Sequence, residues 1–203
     1  MKPNNSSNVD RNQIGFTSEV LAKFKFLSTE YGFVCIKVEP SFVRYESSSI
    51  FVNIYHGRTS SELGVEIGKL ENMPGLRENW YTIGEVMDLM GVREKLRYTF
   101  FQASTQERIK KLVPKLAEYV RKYAKSIFEG DTEIFEKLAE LRSKKSNEYI
   151  KEMRLSGLRE EAERVWYKKD YAKLVEIYDS MKDDLTLVEI KKLEYAQKHL
   201  RSS

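Results

Sequence analysis

Histidine, cysteine and paired carboxylates are the side chains most able to carry chemistry, and this sequence uses the first two sparingly. It has two histidines and one cysteine in 203 residues. His56 lies in Tyr55-His56-Gly57-Arg58, with Glu62 and Glu66 following within ten residues. A histidine at a strand end beside carboxylates could act as a general base, which makes a hydrolytic site around His56 one expectation. The same spacing suits a histidine in an ordinary hairpin turn. His199 stands near the end of the last helical pattern, where a cation complements the helix dipole. Cys35 is alone, so no intramolecular disulfide or multi-cysteine zinc site can form within one chain. Gly64 and Gly68 lack the following helix of a phosphate-binding loop and fit close backbone packing within a strand. No catalytic residue, metal or cofactor is assigned.

Charge points elsewhere. The net charge is +4, yet residues 1–104 hold 12 basic and 12 acidic side chains, so the excess lies in the remainder. Arg108, Lys110, Lys111, Lys115, Arg121, Lys122 and Lys125 fall on the side of a helical pattern opposite Ile109, Val113, Leu116 and Val120. Such a ridge could meet phosphates or an acidic protein partner. It could equally be a solvated face paired with Glu133, Glu136 and Glu140. Trp80 and Tyr81, read as loop residues, are of the types that interfaces favour. The candidate binding residues are therefore Lys110, Lys111, Lys115, Arg121, Lys122, Lys125, Trp80 and Tyr81.

The elements that must position these residues follow from periodicity. Hydrophobic residues at 41% and aromatics at 12% can build a core. Residues 1–13 read as a polar tail without the apolar core of a signal peptide, and no apolar run is long enough to span a membrane. A cytoplasmic location without membrane association is the expectation. A helix capped by Thr17 or Ser18 and closed by Gly32 carries Val20, Leu21, Phe24, Leu27 and Tyr31 on one stripe. The period then changes to two around Val34-Ile36-Val38, Val43-Tyr45, Ile50-Val52-Ile54 and Leu63-Val65-Ile67, predicting a four-strand antiparallel meander. Residues 71–81 read as a loop, and Thr82 with Glu85 as a capping box. Residues 92–103 fit neither period cleanly.

From Ser104 every signal is helical, with expected breaks or kinks at Pro114, Gly130-Asp131 and Ser156-Gly157. The fold class is α+β: a small antiparallel four-strand meander with a flanking helix, then an all-α C-terminal half. The domains read as a tail over 1–13, an α+β domain over 14–103 and a helical domain over 104–203. No Gly/Ser linker separates the last two, so they can share one core.

Two resemblances add to this. The stretch Ala162-x3-Trp166-x3-Asp170-Tyr171-x2-Leu174-x3-Tyr178 resembles the middle of a tetratricopeptide repeat, with Lys169 where the family has Gly and without the closing Pro. It implies a helix hairpin, and one such unit makes no groove. Phe26-Leu27-x3-Tyr31-Gly32-Phe33 and Glu62-Leu63-Gly64-Val65-Glu66-Ile67-Gly68 resemble small uncharacterised bacterial α+β proteins of the immunity or phage-defence type. That resemblance carries no catalytic residue. The absence of catalytic clusters, the abundant charge over the helices and the loop aromatics Trp80 and Tyr81 point to a non-catalytic protein-interaction module, such as an immunity-type inhibitor or an accessory subunit, with a protein partner. Nucleic-acid binding through the helix over 104–128 is the alternative, and the oligomeric state stays open.

Overall fold

The computed structural model describes residues 15–57, 59–70 and 79–202. The expected tail and most of the expected 71–81 loop lie outside these. The first helical stripe forms two short helices, α1 (Phe16–Lys23) and α2 (Phe26–Tyr31). Val20, Phe24 and Leu27 are buried as expected, but the break at Phe24 leaves Leu21 exposed. Gly32 closes α2 at φ 71°, a left-handed conformation that costs glycine little, and Phe33 N–H donates back to Leu27 O.

The four expected strands are β1 (Val34–Glu39), β2 (Phe42–Glu46), β3 (Ile50–His56) and β4 (Glu62–Lys69). Two short strands join them: β5 (Trp80–Thr82) extends the antiparallel order β1-β2-β3-β4-β5, and β6 (Phe101–Gln102) pairs with β4. Val43 faces Ile54, Val52 faces Ile67 and Ile54 faces Val65 in register, so one face is continuously apolar and buried. β1 departs from expectation. A bulge between Cys35 and Lys37 shifts its register, and Val34, Ile36 and Val38 are exposed. Phe33 is buried instead, and half-buried Cys35 packs on the core.

A capping box between Thr82 and Glu85 opens α3 (Ile83–Leu89). Residues 92–100 form turns that lead into β6. Thr105 caps α4 (Gln106–Tyr123), one residue beyond the expected Ser104. The helix continues through Pro114, whose missing N–H leaves the carbonyl of solvent-exposed Lys110 without its helical donor. After α5 (Lys125–Phe128) comes α6 (Ile134–Tyr167), which does not stop at Ser156-Gly157. One interior glycine costs a helix only about 1 kcal/mol relative to alanine, and Leu155, Leu158 and Ala162 hold this stretch against a core.

Two compact units divide after Leu141, not near residue 104. The physical reason is the α4 stripe: Ile109, Val113, Leu116 and Val120 belong to the same buried cluster as Leu63, Ile67 and Ile83, followed by Phe128, Phe135 and Leu138. The helices from 104 to 141 thus complete the core of the sheet. The second unit, from Arg142, comprises the later part of α6, α7 (Tyr171–Asp179), a 3₁₀ turn at Lys182–Asp184 and α8 (Leu187–Ser202). Leu155, Ala162, Leu174, Ile177, Tyr178 and Ala196 form its core. Asp170 caps α7 by accepting from Lys173 N–H at 3.1 Å, and the preceding Lys169 is left-handed at φ 58°. Thr186 and Glu189 cap each other at the start of α8, and Arg159 of α6 donates to Glu189 at 2.9 Å. Burial raises the Glu189 carboxyl, but the Thr186 N–H and hydroxyl and the Arg159 guanidinium together bring it below the ordinary carboxylate value.

Candidate functional site

His56, Glu62 and Glu66 do not converge. Side chains alternate across β3 and β4, so His56 shares the inner face with Leu63, its register partner. Its ring is buried, stacked on Phe16 at 5.8 Å, and Nε2–H donates to the Ala103 carbonyl at 2.8 Å. Glu62 and Glu66 stand on the outer face, where Glu62 accepts from the Tyr55 phenol at 3.0 Å and Glu66 from Asn53 at 3.2 Å. The expected general base is a structural histidine tying β3 to the segment before α4. His199 lies in the last turn of α8, beside Tyr195 and Tyr171. Among the described residues no group of three or more His, Cys, Asp or Glu side chains is placed to hold a metal, and no helix is long and apolar enough to cross a membrane.

The outer sheet face holds a polar row that the alternation of β2, β3 and β4 could have disclosed. Arg44, Asn53, Glu66 and Thr82 are successive register partners across four strands. Arg44 pairs with Glu46 at 2.6 Å and its guanidinium lies over the Phe51 ring at 4.2 Å. Burial pushes the Glu66 carboxyl up, partly opposed by the bond from Asn53. Tyr55 and Phe51 flank the row, each ring lying on a glycine: an added Cβ on Gly64 would overlap Tyr55 Cζ and Oη, and one on Gly68 would stand 2.6 Å from Phe51 Cζ. With Arg44 paired to Glu46 and Glu66 hydrogen-bonded by Asn53, the row ties neighbouring strands in register.

The basic side of α4 has a different character. Its apolar stripe is buried, and Lys110, Lys111, Lys115, Arg121 and Lys122 are exposed, as is Lys125 on α5. Two of the six pair with acids: Arg121 with Glu30 of α2, and Lys125 with Glu129 at 3.5 Å. Among the described residues none of Glu133, Glu136 and Glu140 reaches these cations, so the expected internal neutralisation is supplied only at the C-terminal end of the ridge, by other acids. Lys115 Nζ lies 5.5 Å from the Phe101 ring centre, and Lys122 Nζ lies 5.3 Å from that of Tyr123. Such contacts orient an ammonium without neutralising it.

Spacings of four, three and four residues make two adjacent lines on this side: Lys110, Pro114, Ala117, Arg121, and Lys111, Lys115, Glu118, Lys122. Beside the first line a shallow hollow of about 220 Å³ opens between α4 and the α1–α2 segment. Phe26, Pro114 and Ala117 give it apolar surface; Lys23, Arg121 and Glu118 form its polar rim. Arg121 is held in place by Glu30 and by the Phe26 ring, 5.6 Å from its guanidinium carbon. Lys23 and Phe26 were not among the residues the sequence pointed to, because a hollow between separate helices has no local signature.

Trp80 and Tyr81 do not join this surface. β5 alternates, so Tyr81 is buried at 6% exposure against Phe135, while Trp80, at 41%, faces the opposite side of the sheet. Comparison of the chain with protein-family models, curated proteins and solved structures finds no match.

Proposed function

We propose that this chain is a non-catalytic protein-interaction module that receives an acidic, amphipathic segment of a protein partner on the basic side of α4. The observation that carries the reading is the hollow with an apolar floor and a mixed rim of Lys23, Arg121 and Glu118, set beside the basic side of α4. Phe26, Pro114 and Ala117 offer a seat for an apolar side chain, and Lys23, Lys110 and Lys111 supply charge for neighbouring acids. Glu107 and Glu118 stand within this row of cations and Arg121 is already paired with Glu30, which lowers the positive charge available to neutralise phosphates. An inhibitor of the immunity type or an accessory subunit is the role such a module would fill.

Cross-linking followed by mass spectrometry from host extract tests this, comparing the native chain with Lys111→Glu/Lys115→Glu/Lys122→Glu and with Lys23→Glu. All four positions are exposed, so both variants are expected to fold. Acidic proteins captured by the native chain should be lost from both variants. Capture of the same set by both variants refutes the reading. Duplex DNA or RNA binding at low salt that falls steeply with ionic strength assigns the face to nucleic acid instead.

A further inference from the structure

The second unit contains a helix face that its own core does not use. On α6, Leu155, Leu158, Ala162 and Val165 point into the unit, and Arg159 is tied to Glu189. The opposite side reads Arg142, Ser146, Tyr149, Met153, Ser156, Glu160, a run with alternating spacings of four and three. That is the heptad spacing of a helix-pairing seam. Tyr149 and Met153 are 63% and 58% exposed, with Ile150 beside them at 61%. Next to Ser156, a Cβ on Gly157 would meet nothing within 4 Å, so a second backbone can approach closely there.

The seam is self-complementary when reversed. In an antiparallel pair related by a two-fold axis at residue 151, Arg142 meets Glu160, Ser146 meets Ser156, and Tyr149 meets Met153, each contact occurring twice. Basic residues thus face acidic ones, small residues face small ones, and an aromatic ring meets a thioether, a favourable contact in its own right. A parallel pair would set Arg142 on Arg142 and Glu160 on Glu160. Arg142 has five N–H donors and can meet a carboxylate alongside the contacts it makes in its own chain.

We infer that α6 is a self-association surface through which two copies of this chain pair antiparallel over residues 142–160. The apolar centre is small beside the ~1,200–2,000 Å² of a stable interface, so the pairing is weak and concentration-dependent. The inference is independent of the α4 face.

Sedimentation velocity over a concentration series tests it with the full chain. The native protein should show a reversible monomer–dimer equilibrium. Arg142→Glu alone places two carboxylate pairs in contact, and Glu160→Arg alone places two guanidinium pairs in contact, so each should weaken dimerisation about tenfold or more. An equimolar mixture of these two variants restores both complementary pairs and should dimerise as the native chain does. A parallel association predicts that each variant alone dimerises as weakly as the native chain and that the mixture dimerises more tightly than it, and a non-specific association predicts no selective rescue; either result overturns the inference. Strictly monomeric native protein across the series, or a mixture that behaves like its separate components, overturns the inference. Circular dichroism of each variant confirms that helix content is kept.

Discussion

Replacing Gly64 with alanine should cost the first unit far more than a methyl group in a strand normally does. The new Cβ would overlap Cζ and Oη of Tyr55 and stand 2.6 Å from Cε1, where carbon atoms prefer about 3.5–4.0 Å. The ring must therefore move by roughly 1 Å, which strains the packing by about 1–3 kcal/mol. The same movement stretches the 3.0 Å bond from the Tyr55 phenol to Glu62, worth about 1 kcal/mol at a half-buried position. Against these stands the gain from a less flexible unfolded chain, about 0.4–1 kcal/mol. The balance is a loss of about 2 kcal/mol, or a urea midpoint lower by about 1 M for an m-value near 2 kcal/mol/M. Trp80 fluorescence reports on this unit when measured in a Trp166→Phe background. In Tyr55→Ala the obstructing ring is gone, so Gly64→Ala should become neutral or slightly stabilising. In Tyr55→Phe the ring stays, so most of the penalty should persist while the hydrogen-bond share disappears. Equal costs of Gly64→Ala in the native and Tyr55→Ala backgrounds would refute the steric account.

Two further expectations concern single residues. Burial raises the Glu66 carboxyl, so its contribution to stability is fully present below the ordinary carboxylate range, near 4.5, and is lost as pH rises through its higher folded-state value. Glu66→Gln keeps an acceptor for Asn53, so it should raise stability at neutral pH by less than about 1 kcal/mol after solvent screening, with the gain vanishing in acid; urea titrations at pH 7 and pH 4 compare the two. Lys169 occupies a left-handed conformation, and Lys169→Gly should stabilise the second unit by about 0.5–1 kcal/mol, read as a higher thermal midpoint; a lower midpoint would show that the side chain makes a compensating contact.

What could be read from the sequence was what is encoded locally. Alternation at Val43-Tyr45, Val52-Ile54 and Leu63-Val65-Ile67 marked three strands and their buried face, because period two depends only on the pleat. The box at Thr82-Glu85 marked a helix start, because the capping bonds join residues three apart. Tertiary placement was not legible in the same way. The stripe on α4 announces that one face is buried but not what lies against it, and the sheet supplied that partner from fifty residues earlier. Likewise, Val34, Ile36 and Val38 show the strand period, but an edge strand with a bulge leaves them in solvent. At the candidate site, the cationic ridge was visible as a helical pattern, whereas the hollow beside it depends on Phe26 meeting Pro114 and Ala117 across the fold.

That edge strand has a consequence for how the protein behaves in a crowded solution. β1 exposes three apolar side chains along a border of the sheet where another extended chain could attach. The bulge after Cys35, the ion pair of Lys37 with Glu39 at 2.8 Å, and Pro40 directly beyond interrupt that border at three successive points. Together they act as gatekeepers against edge-to-edge aggregation. Protection of this edge thus resides in a few surface residues in and directly after β1, apart from the buried core.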